Sequence, residues 1–194
     1  MSLNKPIRNS KIKTAAAISE HFSAVHSSYS AKFPDQTAFL ERHLFFITVS
    51  FNLRSSRFES RFPTQLAEFG RLYFQISEFL LGNNLNRKRK LQPLTYAFTD
   101  FEGSRLRKSD VVHNQFPHIH ALLLVTPEYL NQFKSAVFVP RLRSRVRSIK
   151  DIKIENYSSQ KGTVERLASY CMKGYVQSSR SYGAREDLWS IFPR

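Results

Sequence analysis

An α+β fold, a split β-α-β sandwich with a central antiparallel sheet and helices packed on it, is predicted by three observations. Short apolar runs rich in β-branched and aromatic residues recur at 43–51, 94–102, 116–125 and 151–157. Segments between them carry apolar residues at three- and four-residue steps. The chain has 194 residues, 41% of them hydrophobic and 17 of them Phe, which suits one domain with a substantial core.

Residues 1–13 are polar and basic and read as a loose arm, and 14–30 as a short helix leading into a Ser-rich loop, so 1–30 is expected to precede a single domain over 31–194. The run HLFFITVSF, residues 43–51, is the first strand. Pro63 starts a helix with Leu66, Phe69, Tyr73, Ile76 and Leu80 on one stripe, ending near Gly82 and Asn83. A basic loop at 86–90 precedes the second strand, LTYAFTDFE at 94–102, and a long polar loop at 104–115 precedes the third, at 116–125. Thr126 and Pro127 mark a helix start, placing a helix over 127–135. Residues 140–150 hold five basic side chains and no acidic one. DIKIENY at 151–157 is the fourth strand, and 163–175 a helix, after which Trp189, Ile191 and Phe192 are expected to pack back on the domain. Strand, helix, strand, strand, helix, strand, helix is the order of ferredoxin-like and RRM-like sandwiches, with helices on one face of the sheet.

Charge narrows the partners. Thirty Lys and Arg against 15 Asp and Glu give a net charge of +15, a field that favours polyanions, nucleic acid before an anionic membrane surface. No apolar run approaches the roughly 18 residues of a spanning helix, and no apolar signal core follows the basic N-terminus. A soluble, cytoplasmic protein is expected, in keeping with a single cysteine, Cys171. The absence of a GxxxxGK[ST] loop argues against an ATPase.

His118-Ile119-His120 lies inside an apolar strand. Side chains alternate along a strand, so both imidazoles project from one face, close enough to share an ion. Asp100 and Glu102 share a face of the preceding strand, and either supplies the acid of a two-histidine, one-carboxylate set with open coordination positions. Zinc remains compatible with these ligands. His113, in the loop near the site, reads as an exposed side chain, with metal ligation the alternative. On the 163–175 helix, Val164, Leu167, Ala168, Cys171, Met172 and Tyr175 form the buried stripe, while Tyr170 and Lys173 fall off it, one turn apart. A free phenol ionises near pH ~10, and a cation one turn away, or a nearby metal, favours the phenolate. Tyr170 is therefore the candidate covalent nucleophile.

His118-Ile119-His120 and Tyr170-Cys171-Met172-Lys173, in that order and on those elements, resemble the two marker motifs of the HUH endonucleases, and among them the single-tyrosine rolling-circle replication initiators. Phe45-Phe46-Ile47-Thr48-Val49-Ser50 is similar to the family's first strand motif, and Phe101-Glu102-Gly103 to the acid that completes its metal site. The resemblance implies a Mg²⁺ or Mn²⁺ ion held by His118, His120 and Glu102. It also implies attack by Tyr170, assisted by Lys173, on single-stranded or origin-hairpin DNA, leaving a 5′-phosphotyrosine. Rolling-circle replication of a plasmid or phage-like element, with a recruited host helicase and replication proteins, is the expected setting. The DNA contacts expected are Arg87, Lys88, Arg89 and Lys90; Arg105, Arg107 and Lys108; and Arg141, Arg143, Arg145 and Arg147. A single-tyrosine transposase or mobilisation relaxase would use the same chemistry. A basic DNA-binding domain with structural histidines, or a zinc hydrolase that does not need Tyr170, would not.

Overall fold

The computed structural model describes residues 5–52, 61–85, 87–101, 117–135, 138–174 and 189–193. Five strands, β1 (Leu44–Phe51), β2 (Leu94–Phe101), β3 (Pro117–Leu124), β4 (Ile149–Asn156) and β5 (Trp189–Phe192), form one sheet in the order β4-β1-β3-β2-β5. Every neighbouring pair is antiparallel. The fold class is α+β, as the order of elements predicts.

Alternation on β1 and β3 divides the core in two. Phe45, Ile47, Val49, Ile119, Ala121 and Leu123 face one side, under α3 (Arg61–Leu81), α4 (Leu130–Phe133) and α5 (Phe138–Arg145). Phe69, Leu72, Tyr73 and Ile76 of α3 belong to that layer, and the helix begins two residues before Pro63. A proline fits the first turn because its missing N–H has no intrahelical partner there. Gly82, at φ 67°, ends the helix in a conformation that favours glycine.

Leu44, Leu122, Leu124, Tyr96 and Phe98 face the other side, under α1 (Lys5–Ser27), α2 (Gln36–His43) and α6 (Val164–Cys171). Helices therefore cover both faces, not one. The difference arises at the N-terminus. In place of a loose arm and a short helix, α1 runs from Lys5, with Pro6 in its first turn, and buries Ala15, Ile18 and Phe22 against the sheet. Nor does the sequence reading contain α2, whose N-cap Asp35 accepts from the N–H groups of Thr37 and Ala38 at 2.8 and 3.2 Å.

Other boundaries also differ. Residues 127–129 form a 3₁₀ turn before the four-residue α4. Much of the arginine-rich run 140–150 is helix α5, anchored by buried Phe138 and Leu142. At the C-terminus Phe192 is buried and Trp189 half-buried, as expected, whereas Ile191 points outward on the edge strand.

Candidate functional site

Strand register assembles the site. His118 stands opposite Asp100 on β2 and Ser50 on β1; His120 stands opposite Phe98 and Thr48. Directly opposed residues share a face, so Asp100, both histidines and Thr48 meet on the face that α1 and α6 cover. Nε2 of His118 lies 3.2 Å from Nε2 of His120. The Asp100 Oδ2 is 3.5 Å from the first and 3.2 Å from the second. Ligands bonded at about 2.1 Å stand about 3.0 Å apart on neighbouring octahedral corners and about 3.4 Å apart on tetrahedral ones. The three atoms are spaced for one ion of either geometry, and the two-histidine, one-carboxylate set leaves positions open.

Two further features fit a cation. Both carboxylate oxygens of Asp100 are buried and neither has a hydrogen bond among the described residues, while Oδ2 has close ionic contacts to His118, His120 and Lys173. A buried carboxylate needs compensating positive charge, and a bound ion would add to that of Lys173. The Nδ1 of His120 lies 3.1 Å from the Thr48 hydroxyl. An Nδ1–H donated to Thr48 leaves the Nε2 lone pair facing Asp100 and His118, the arrangement of an oriented ligand. Burial lowers the His120 pKa and so keeps the ring neutral, against the pull of Asp100. Burial works to raise the pKa of Asp100, but His118, His120 and Lys173 outweigh it and hold the carboxyl below its usual range. The buried Asp100–His118–His120 group could thus hold a metal ion.

Helix α6 brings the second half. Thr163 caps it, accepting from the Arg166 N–H at 3.3 Å, and Val164, Ala168 and Cys171 face the sheet. Tyr170 is half-buried, its ring centroid 5.4 Å from that of His120 and 5.9 Å from that of Phe46. The Lys173 Nζ sits 4.2 Å from the centre of the Tyr170 ring and 3.0 Å from Asp100 Oδ2. Gly174 makes this seat possible: a Cβ there would stand 2.6 Å from Asp100 Oδ1 and 2.8 Å from the Thr99 carbonyl oxygen. Cys171 is fully buried, and burial raises its thiol pKa, reinforced by the Asp100 charge. From α1 the half-buried Lys11 feels the same charges. Burial lowers its pKa, Cys171 and Asp100 raise it, and Lys173 lowers it again.

His118, His120, Tyr170 and Lys173 are thus gathered at one place. Glu102 lies outside the described residues, and the acid that stands with the histidines among those described is Asp100. Arg105, Arg107, Lys108, His113 and Tyr175 also lie outside them. Arg87, Lys88, Arg89 and Lys90 precede β2, at the end of the strand away from Asp100, about 20 Å off at the rise of an extended chain. Arg141, Arg143 and Arg145 belong to α5, on the face opposite the histidines, with Arg147 in the turn beyond it. Among the described residues Arg143 pairs with Asp151, Arg145 with Glu78 at 2.5 Å, and the Arg141 guanidinium covers Phe79 at 5.0 Å. The local sequence carries no signal that places Lys11 or the Phe46 ring at the site. A glycine directly after the Tyr-x-x-Lys run was the one available signal for a close approach there.

No protein-family model, curated protein or solved structure matches the chain. Among the described residues no helix is long and apolar enough to cross a membrane.

Proposed function

We propose that this chain is a metal-dependent endonuclease and strand transferase acting on single-stranded DNA, of the HUH type with one tyrosine, that initiates rolling-circle replication of a plasmid or phage-like element. One observation carries the reading: the off-stripe Tyr170 and Lys173 lie beside the Asp100–His118–His120 cluster, with the Tyr170 ring against His120. A structural histidine pair has no need of an adjacent phenol and cation. The net charge of +15 supports a nucleic-acid substrate.

In this mechanism the Tyr170 oxygen attacks a backbone phosphorus and displaces the 3′-oxygen, which leaves as a free hydroxyl after protonation. The phosphorus remains bonded to Tyr170 as a 5′-phosphotyrosine. Attack by a 3′-hydroxyl reverses the step and reseals a strand without ATP, because the ester conserves the bond. A divalent ion, Mg²⁺ or Mn²⁺, held by Asp100, His118 and His120 would withdraw charge from the scissile phosphate. Thr48 fixes the orientation of His120. Lys173 sets positive charge beside the phenol as it loses its proton, and balances Asp100. A host helicase would have to be recruited to unwind the duplex.

End-labelled single-stranded origin DNA incubated with Mn²⁺ and run on a denaturing gel tests the reading. A cleaved strand and a covalent protein–DNA adduct are expected, both absent in Tyr170→Phe. Absence of cleavage with wild-type protein, or cleavage unchanged in Tyr170→Phe, sinks it.

A further inference from the structure

A half-open cavity of about 300 Å³ lies directly beside Tyr170, between β1, the β4–α6 connection and α6. Its lining includes the apolar Phe46, Tyr157, Leu167 and Tyr170, the exposed cations Lys161 and Arg166, and Glu155, whose carboxylate pairs with Lys153 at 3.2 Å. Phe46 is the wall shared with the metal cluster. Its ring stacks on His120 at 5.1 Å between centroids and meets Tyr170 edge-on. The far side is held in place by the Tyr157 hydroxyl, which donates to the Gly162 carbonyl oxygen at 3.0 Å. Gly162 has a φ of 133°, and a Cβ there would stand 2.7 Å from Arg166 Cδ, so the arginine stem crosses bare backbone on its way to the rim. Lys161 and Arg166 are exposed, and among the described residues neither has an ion-pair partner.

Aromatic walls, a leucine and two cations with no ion-pair partner among the described residues match one chemical object that the adjoining site would already hold, a nucleotide. A base has a flat π-face for Phe46 and Tyr157, and its flanking phosphates need positive charge. An apolar small molecule would leave the two cations unused. We infer that the cavity receives one nucleobase of the bound single strand, next to the phosphate attacked by Tyr170, with Lys161 and Arg166 on the flanking phosphates. The identity of that neighbouring phosphate rests on the nuclease reading; base binding in the cavity does not. A pocket of this kind makes the cut depend on a base being seated beside the phosphate.

Binding without cleavage tests the inference. Full-length protein is titrated, in EDTA, into a short fluorescein-labelled oligothymidylate and into an equally long strand of abasic residues, with anisotropy as the readout. Wild-type protein is expected to prefer the base-bearing strand by about tenfold, within the range for stacking one base. Lys161→Gln and Arg166→Gln are expected to weaken oligothymidylate binding several-fold more than Lys32→Gln, an equal loss of charge elsewhere. Phe46→Leu should bring the two strands close to equal affinity. Equal wild-type binding of the two strands, or rim variants no weaker than Lys32→Gln, overturns the inference. Base preference without Mn²⁺-dependent cleavage would defeat the nuclease reading and leave the base pocket standing. Cleavage without base preference would do the reverse.

Discussion

Asp100 is the residue on which the chemistry turns. Alternation places Asp100 and Glu102 on one face, and nothing in the local sequence separates them. Strand register does: Asp100 stands opposite His118, and pairing register between distant segments is a tertiary property. The histidines, Tyr170 and Lys173 were legible because their spacing alone sorts them by face. Asp100→Asn should abolish Mn²⁺ binding measured by calorimetry, and Glu102→Gln should leave it intact. Thr48→Val should weaken it by about 10–100-fold, the usual effect of losing a group that orients a ligand. His43 carries a different expectation. It is fully buried, stacks on Phe39 at 4.5 Å and contacts the Val125 carbonyl at 3.1 Å, while Nε2 has no hydrogen-bond partner among the described residues. Burial lowers its pKa, with Val125 opposing and Arg42 and Lys134 reinforcing. The fold thus accommodates the neutral ring, and between the lowered folded value and about 6.5 the unfolded chain binds more protons. The His43 contribution is complete above that window and is lost as pH falls through it. Urea denaturation from pH 7.5 to 5, compared with His43→Gln, should show a smaller pH slope in the variant.

At the scale of elements, strands were the most legible parts, since β1 to β4 announce themselves by β-branched and aromatic runs. Helix α2 was not, because its eight residues carry only a short stripe and its start lies in the Asp35 cap. Helix α5 was masked by its arginines; two buried residues in eight leave little periodicity to read. Helix α6 was legible as a helix, but its docking was not, because the contact of Gly174 with β2 involves a strand far away in sequence. Gly174→Ala should push α6 off β2 and destabilise the protein by about 1–3 kcal/mol, read as a lower thermal midpoint together with weaker DNA cleavage.

For the whole molecule, charge and topology act together. The sheet places the cluster under α1 and α6, while α5 carries its arginines on the other face, two of them already neutralised by Asp151 and Glu78. The excess of positive charge was visible in composition; its distribution over two faces was not, since that requires the fold. Affinity for single-stranded DNA should therefore fall with salt, with a log–log slope of about −0.7 per phosphate contacted. Lys161→Gln should make that slope shallower by about that amount. Arg143→Gln should leave it unchanged, because the side chain it removes is paired within the protein.

The chain has one cysteine, and it ends α6 on the side that faces the sheet, directly after Tyr170 and sealed from solvent. This makes Cys171 a clock. A thiol reagent in native buffer can reach the sulfur only when the helix lifts, so the labelling rate counts how often the tyrosine's platform leaves the sheet. In Gly174→Ala that clock should run faster.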